Sequence, residues 1–296
     1  MALDTFAVSV KNTATDYLKK IESYFSKEKV DVLAYFGSID ASYEQVFRSA
    51  LDGLVAEQKT TKHKTLCVVL TTFGGSIETA EKFVNMTRQY YKQVFFIVPN
   101  YAMSAGTIWC MSGNRIYMDY SSSLGPIDTQ IFSPVINQYV PANGYISEYE
   151  ELIKKGAAGN LSNEEFVLLA QKLDYAFLNR CKRLSELTVK LLQDWLVLYK
   201  FKDWKTTKTR RLPVTNEMKR ERAREIATKL GNDKHWSIHS RPIMIKELNA
   251  MKLQLDDYSE NEELRKIVRD YSDFMSGYLK TAGVQNGPFI HTRLFI

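Results

Sequence analysis

Leu66-Cys67-Val68-Val69-Leu70-Thr71-Thr72-Phe73-Gly74-Gly75-Ser76, then a helical pattern over 77–91, then Val94-Phe95-Phe96-Ile97-Val98: this stretch decides the fold. Both apolar runs are continuous rather than alternating, as expected of strands covered on both faces. Strand, turn, helix and strand make a crossover unit. Such units build parallel sheets, whose ligand sites lie beyond the carboxyl ends of the strands. Two unusual segments occupy such ends, Phe73-Gly74-Gly75-Ser76 and Asn100-Tyr101-Ala102-Met103-Ser104-Ala105-Gly106-Thr107, each joining a strand to a helix. The reading sets them face to face.

Outward from this unit the pattern continues. Apolar residues at helical spacing over 16–25 precede a strand at 30–36 that Gly37 ends, and Ser42 precedes a helical pattern over about 43–55. Downstream, a short strand at 115–118 runs into Ser121-Ser122-Ser123-Leu124-Gly125-Pro126-Ile127-Asp128, a loop by its serines, glycine and proline. Beyond Ser147 helices are expected near 147–155, over 162–199 with an interruption, and over 215–230. The expected fold class is α/β: a parallel sheet built from strand-turn-helix units, with a helix-rich C-terminal half. Residues 1–145 form the core with its N-terminal helix, and 146–296 form a helical extension of the same domain.

Composition narrows the function classes. The chain has 296 residues, 45% hydrophobic and 25% charged, an ordinary globular balance. It opens Met-Ala-Leu-Asp without the basic start and apolar core of a secretory signal, so the mature chain is expected to start there. No charge interrupts residues 94–113, yet Pro99, Asn100, Ser104, Gly106 and Ser112 make that stretch a buried strand, turn and helix, and no integral membrane segment is expected. Cys67, Cys110 and Cys181 lie far apart without CxxC spacing and read as core residues, which fits a reducing cytoplasm. Net charge is +6, and residues 200–225 hold ten Lys or Arg against four Asp or Glu. That run reads as a solvated helix with its lead-in; no nucleic-acid signature accompanies it, and no nucleic-acid partner is expected.

A serine hydroxyl becomes a nucleophile when a base takes its proton and donors await the oxyanion. Ser104 stands among small residues at the expected start of a helix, where free N–H groups favour negative charge, and the Ala105 N–H is one candidate donor. The Gly74-Gly75 pair lets backbone approach a substrate closely and makes the Gly75 N–H a second. Each feature has a plainer reading: a serine at a helix start is ordinarily a cap, and a glycine pair after a strand is ordinarily a turn. Among the four histidines, His63 stands among lysines and His291 lies near the chain end, while His235 and His239 are four apart. HExxH is absent, and Trp236 and Pro242 argue against an uninterrupted helix there, so no metal is expected; nor is any other cofactor.

Four segments resemble the serine dehydrogenase proteinase family, ClpP/crotonase-like serine peptidases related to signal peptide peptidase A. They are Thr71-Thr72-Phe73-Gly74-Gly75-Ser76, Ala102-Met103-Ser104-Ala105-Gly106-Thr107, Ser123-Leu124-Gly125-Pro126-Ile127-Asp128 and Trp236-Ser237-Ile238-His239-Ser240-Arg241-Pro242-Ile243. The resemblance implies a ClpP/crotonase-like fold and a triad in the chain order Ser104, Asp128, His239. It implies an oxyanion hole at Gly75 and Ala105, with Gly74 and Ser76 on the substrate edge. Spacing alone does not find His239. The resemblance also implies an intracellular endopeptidase acting on peptide or protein substrates and assembled as a homo-oligomer through aromatic-rich helices or the 289–296 tail, with a possible activating or substrate-delivering partner.

Alternatives remain at this point. Met103 precedes the serine and the GxSxG elbow is missing, which disfavours hydrolases built on that elbow. Signal peptide peptidase relatives use a lysine base, for which Lys154 or Lys155 is the candidate. The same fold supports crotonase-like acyl-CoA hydratases or hydrolases, and a catalytically silent pseudo-peptidase scaffold is the non-enzyme reading.

Overall fold

The computed structural model describes residues 2–58, 63–133, 137–172, 174–207, 211–282 and 288–294. The chain runs α1 (Ala2–Tyr24), β1 (Val30–Phe36), α2 (Glu44–Glu57), β2 (Thr65–Thr71), α3 (Ile77–Tyr90) and β3 (Gln93–Val98). Next come β4 (Tyr101–Ala102), α4 (Ala105–Met111), β5 (Arg115–Met118), β6 (Ser123–Leu124), and a hairpin of β7 (Gln130–Ser133) and β8 (Gln138–Pro141). Helices α5 (Ala142–Ala157), α6 (Asn163–Lys172), α7 (Tyr175–Trp195), α8 (Asn216–Leu230), α9 (Asp233–Trp236) and α10 (Ile245–Ala250) follow. The chain closes with β9 (Asp256–Asp257), α11 (Glu262–Thr281) and β10 (Phe289–Thr292).

The architecture is α/β with a mostly parallel central sheet, ordered β10-β1-β2-β3-β5-β9, in which β10 alone pairs antiparallel. Every residue of β1 and β2 is buried. Leu66, Val68 and Leu70 face a core shared with Phe47, Phe83 and Trp109, whereas Cys67 and Val69 face a second core with Leu18, Ile21, Val268 and Tyr271. Helices on both faces are therefore why these strands read as uninterrupted apolar runs. All three cysteines are buried.

The C-terminal part of the chain enters the sheet at both edges. β9 extends it beyond β5, and β10 pairs with β1. The tail expected to serve assembly is thus an edge strand through Thr292, while residues 295–296 lie outside the described residues. Arg293 fixes this strand, donating from Nη1 to Asp31 Oδ1 (2.8 Å) and Glu22 Oε1 (2.5 Å) and from Nε to Glu57 Oε2 (3.0 Å). Asp31 is fully buried and also bonds Tyr91 Oη (2.8 Å), Gln58 Nε2 (2.6 Å) and His63 Nδ1 (2.8 Å). His63, among lysines in the sequence, is thus engaged with a buried carboxylate. Lys208 and Arg210 of the basic run lie outside the described residues. The described part of α8 alternates exposed Glu217, Glu221 and Glu225 with exposed Arg220 and Arg224, a mixed rather than a basic face.

Residues 94–113 form β3, β4 and α4. Among the described residues no helix is long and apolar enough to cross a membrane.

Candidate active site

The glycine turn continues β2 toward two different neighbours. Thr72 pairs with Ala102, accepting from the Met103 N–H (2.9 Å) and donating its own N–H to Tyr101 O (3.0 Å). Gly75 pairs with Ile39, whose N–H reaches Gly74 O (2.8 Å) and whose carbonyl accepts from the Ser76 N–H (2.9 Å). Because Gly74 and Ser76 direct these bonds toward Ile39, the N–H of Gly75 points the other way, toward the side that carries Ser104. The Gly74 N–H is taken by Thr72 Oγ1 at 2.9 Å. Neither glycine position accepts a side chain. A Cβ at Gly74 (φ +106°) would stand 2.7 Å from Ser104 Cβ, and one at Gly75 (φ +143°) 2.2 Å from Ile39 O. Ser76 caps α3, its Oγ accepting from the Thr79 N–H (3.0 Å) and donating to Glu78 Oε2 (3.0 Å).

Ser104 occupies the cap position of α4 but does not cap it. Its backbone has φ 52° and ψ −120°, outside the regions a non-glycine residue ordinarily takes, and its hydroxyl bonds none of the helix amides. Ser76, Asp174, Thr215 and Asn261 all do cap their helices. The plain reading of a serine at a helix start thus fails here. The Ala105 N–H, at the first position of α4, has no acceptor within its helix, and among the described residues neither it nor the Gly75 N–H has a backbone acceptor.

Two ties bring the acidic loop and the distal histidine to this edge. β4 pairs with β6, and Thr107 Oγ1 donates to Ala102 O (2.7 Å) while accepting from the Gly125 N–H (2.9 Å), so the Ser104 segment and the start of the loop are one unit. On the far side of β6, Leu124 and Ile243 exchange both backbone bonds (3.0 and 2.8 Å), drawing residues 237–243 against the loop. There Asp128, 3% exposed, holds His239 Nδ1 at 2.7 Å through Oδ1 and accepts from Gln130 Nε2 at 2.7 Å through Oδ2. Both carboxylate oxygens are engaged, which fixes the ring with Nδ1 toward Asp128 and Nε2 on its opposite edge. The imidazole remains partly open to solvent. Trp236 anchors the segment through Nε1 to Lys229 O (2.7 Å).

The structure therefore joins Asp128 to His239 directly and sets Gly74 against Ser104 and Ala105, but Ser104 Oγ and His239 share no hydrogen bond. His235 ends on the short α9 and His239 lies beyond it, so the two do not share a helix face. His291 is buried on β10 against Tyr271 Oη, its pKa pushed down to about 4 by burial. Lys155 is paired with Glu165 (2.9 Å) and Glu151 (3.7 Å) on the surface of α5, and Lys154 is exposed. Sequence reasoning missed Gln130 and Thr107, whose hydrogen bonds hold the acidic loop. An i, i+2 polar pair at Asp128-Thr129-Gln130 is a weak signal for the first, and nothing local marks the second.

Residues 39–169 match the model of the ClpP-like SDH-type serine proteinase family. Two uncharacterized proteins of Methanocaldococcus jannaschii are each 25% identical, over 195 residues (66% of this chain, 54% of theirs) and 191 residues (64% and 51%). The chain thus spans about half the length of the curated relatives it matches. Among solved structures, a membrane-bound stomatin-specific protease superposes with a TM-score of 0.47 at 12% identity, covering 80% of this chain and 83% of that one. ClpP1 from Listeria monocytogenes superposes with a TM-score of 0.41 at 10% identity, covering 80% and 95%.

Proposed function

We propose that this chain, which carries the ClpP-like SDH-type serine proteinase match over residues 39–169, is a serine endopeptidase with Ser104 as nucleophile. The observation that carries the reading is the serine itself: held at φ 52° at the start of α4, it caps nothing and faces Gly74 across a gap too small for a methyl group. His239 is the general base, taking the Ser104 proton as Oγ attacks the scissile carbonyl and passing it to the leaving amine as the tetrahedral intermediate collapses. Asp128 keeps the proton of neutral His239 on Nδ1 and stabilises the imidazolium. The Gly75 and Ala105 N–H groups hold the oxyanion, and water then hydrolyses the acyl-enzyme by the same proton path. Gly74 gives the substrate backbone its clearance, and Ser76, occupied as a helix cap, fixes the turn. An extended peptide lies along this edge, bound through its backbone.

Residues 146–296 complete the domain in this reading by supplying His239. The unmade Ser104–His239 bond does not exclude His239 as the base, since such bonds often tighten only in the reacting complex. We place the enzyme in the cytoplasm as a homo-oligomer that needs no cofactor, with an activating or substrate-delivering partner where an open site must be held in check. The paired Lys155 and exposed Lys154 argue against a Ser–Lys dyad.

The test is fluorophosphonate labelling of the purified chain beside Ser104→Ala, Asp128→Ala and His239→Ala, each checked for folding. Labelling that vanishes in the first variant and falls in the other two is expected. Labelling that survives Ser104→Ala overturns the reading.

A further inference from the structure

Both chain neighbours of Asp128 are tied to helices. Ile127, before it, donates its N–H to Leu230 O at the end of α8 (3.0 Å). Thr129, after it, accepts from the Ala142 N–H at the start of α5 (2.8 Å), and its hydroxyl donates to Thr188 Oγ1 of α7 (3.3 Å). Between these same three helices lies a cavity of about 420 Å³, within the size range of small-molecule sites. Its polar lining comes from Asn143 and Ser147 on α5, Ser185 on α7, Thr228 on α8 and Asn232 just beyond α8. Each of these side chains is uncharged and can both donate and accept a hydrogen bond, and none of the described residues lining the cavity is charged. The walls are joined to one another and to the acidic loop. Ser185 Oγ donates to Asn143 Oδ1 (2.9 Å), and Gly231, also on the wall, backs onto Ile127, since a Cβ there would stand 3.7 Å from Ile127 Cγ1. A charged ligand would lose hydration here without meeting a counter-charge. An uncharged ligand that presents a donor and an acceptor side by side, as a carboxamide does, matches the two asparagine amides and three hydroxyls.

We propose that this cavity is a regulatory site for a small uncharged carboxamide, whose binding moves the helices that hold Ile127 and Thr129 and so resets the Asp128–His239 pair. Its effect on rate rests on the peptidase reading, to which it adds a means of regulation. A ligand bonded to α5, α7 and α8 together changes how the three helices sit against each other. Ile127 and Thr129 follow through their bonds, and Asp128 is the single residue between them, so the displacement reaches the carboxylate that orients His239.

The test delivers the ligand group covalently. Thr228→Cys is alkylated with iodoacetamide, which leaves a carboxamide on the thiol, or with iodoacetate, which leaves a carboxylate of nearly the same size. Cys67, Cys110 and Cys181 are buried, so the introduced thiol reacts first, and the parent treated alike is the control. Each adduct is compared with the unalkylated variant by melting temperature, by the His239 ring signal in NMR of histidine-labelled protein, and by fluorophosphonate labelling rate. The carboxamide adduct is expected to melt about 2 °C or more higher, to move the His239 signal and to change the labelling rate about fivefold or more, and the carboxylate adduct to do none of these. No rise in melting temperature with the carboxamide, or an equal rise with the carboxylate, overturns the site and its ligand class. A rise with an unmoved His239 signal overturns the regulation. A parent that does not label sinks the peptidase reading instead, and the melt and the ring signal still decide the site. Ser147→Cys, on α5 and exposed like Thr228, repeats the test should Thr228→Cys not fold.

Discussion

Replacing Gly74 by alanine tests the geometry around Ser104 without touching any proposed catalytic group. The added Cβ would sit 2.7 Å from Ser104 Cβ and 2.8 Å from Met103 O, about 0.7 Å inside the 3.4 Å at which ordinary contact begins. The backbone cannot relieve this cheaply, since φ is +106°, where an L side chain is strained by about 1–3 kcal/mol. Thr72 and Ile39 also hold the turn from both sides. The displacement therefore falls on Ser104, and a shift of this order at a nucleophile costs on the order of 100-fold in rate. Gly159→Ala is the control: its φ is +71° but nothing lies within 4 Å, so it isolates the backbone strain. The assay pairs the fluorophosphonate labelling rate with urea unfolding at pH 7. Gly159→Ala is expected to lose about 1 kcal/mol and label at the parental rate, and Gly74→Ala to lose more stability and label about 100-fold more slowly. A Gly74→Ala protein that labels within about threefold of the parent would show that Ser104 is not held by this contact, and the reasoning from crowding would fail.

Asp128→Asn preserves the side-chain shape but presents an amide to His239 and favours the wrong tautomer; labelling by stopped-flow is expected to slow by about 1,000- to 10,000-fold with the melt little changed, and a tenfold effect or less would remove Asp128 from the triad. Arg293→Ala strips the guanidinium from fully buried Asp31 and from Glu22, for an expected loss of about 3 kcal/mol and faster amide exchange at Ile290 and Thr292. A loss under about 1 kcal/mol would mean that β10 is held by its ladder alone. Folded His291 takes its proton only near pH 4, whereas in the unfolded chain it does so near pH 6.5. Its contribution to stability is thus complete above about pH 6.5 and is lost as pH falls toward 4, by about 3 kcal/mol in all. Urea melts from pH 7 to 4.5 should show that loss in the parent and a shallower one in His291→Gln; equal slopes would refute the assignment.

Much of the parallel core was legible because its information is local. The 66–70 and 94–98 runs are apolar at every position for the reason the structure displays, burial on both faces, and the helix between them starts at the residue after Ser76, which caps it. The Gly74-Gly75 pair and Ser104 were likewise legible as unusual residues at strand ends. What those residues do was not, since a serine before a helix reads the same whether or not its hydroxyl caps; only φ 52° and the missing cap bond separate the two. The edge strands were illegible for another reason. β9 has two residues and no apolar run, and β10 is a short strand whose partner, β1, lies more than 250 residues earlier.

By itself, then, the sequence determined what depends on near neighbours: the crossover units, their covered strands, and two glycine- and serine-bearing turns at one edge. Tertiary structure decided what depends on distance through space. His239 meets Asp128 across 111 residues where Leu124 and Ile243 pair, and Asp31 meets the Arg293 guanidinium across 262 residues where β10 returns to β1. A hydrogen bond or an ion pair depends on separations of a few ångströms, and nothing in the residues between two partners encodes that separation. It is set when the two cores close on the sheet and leave each loop one place to lie.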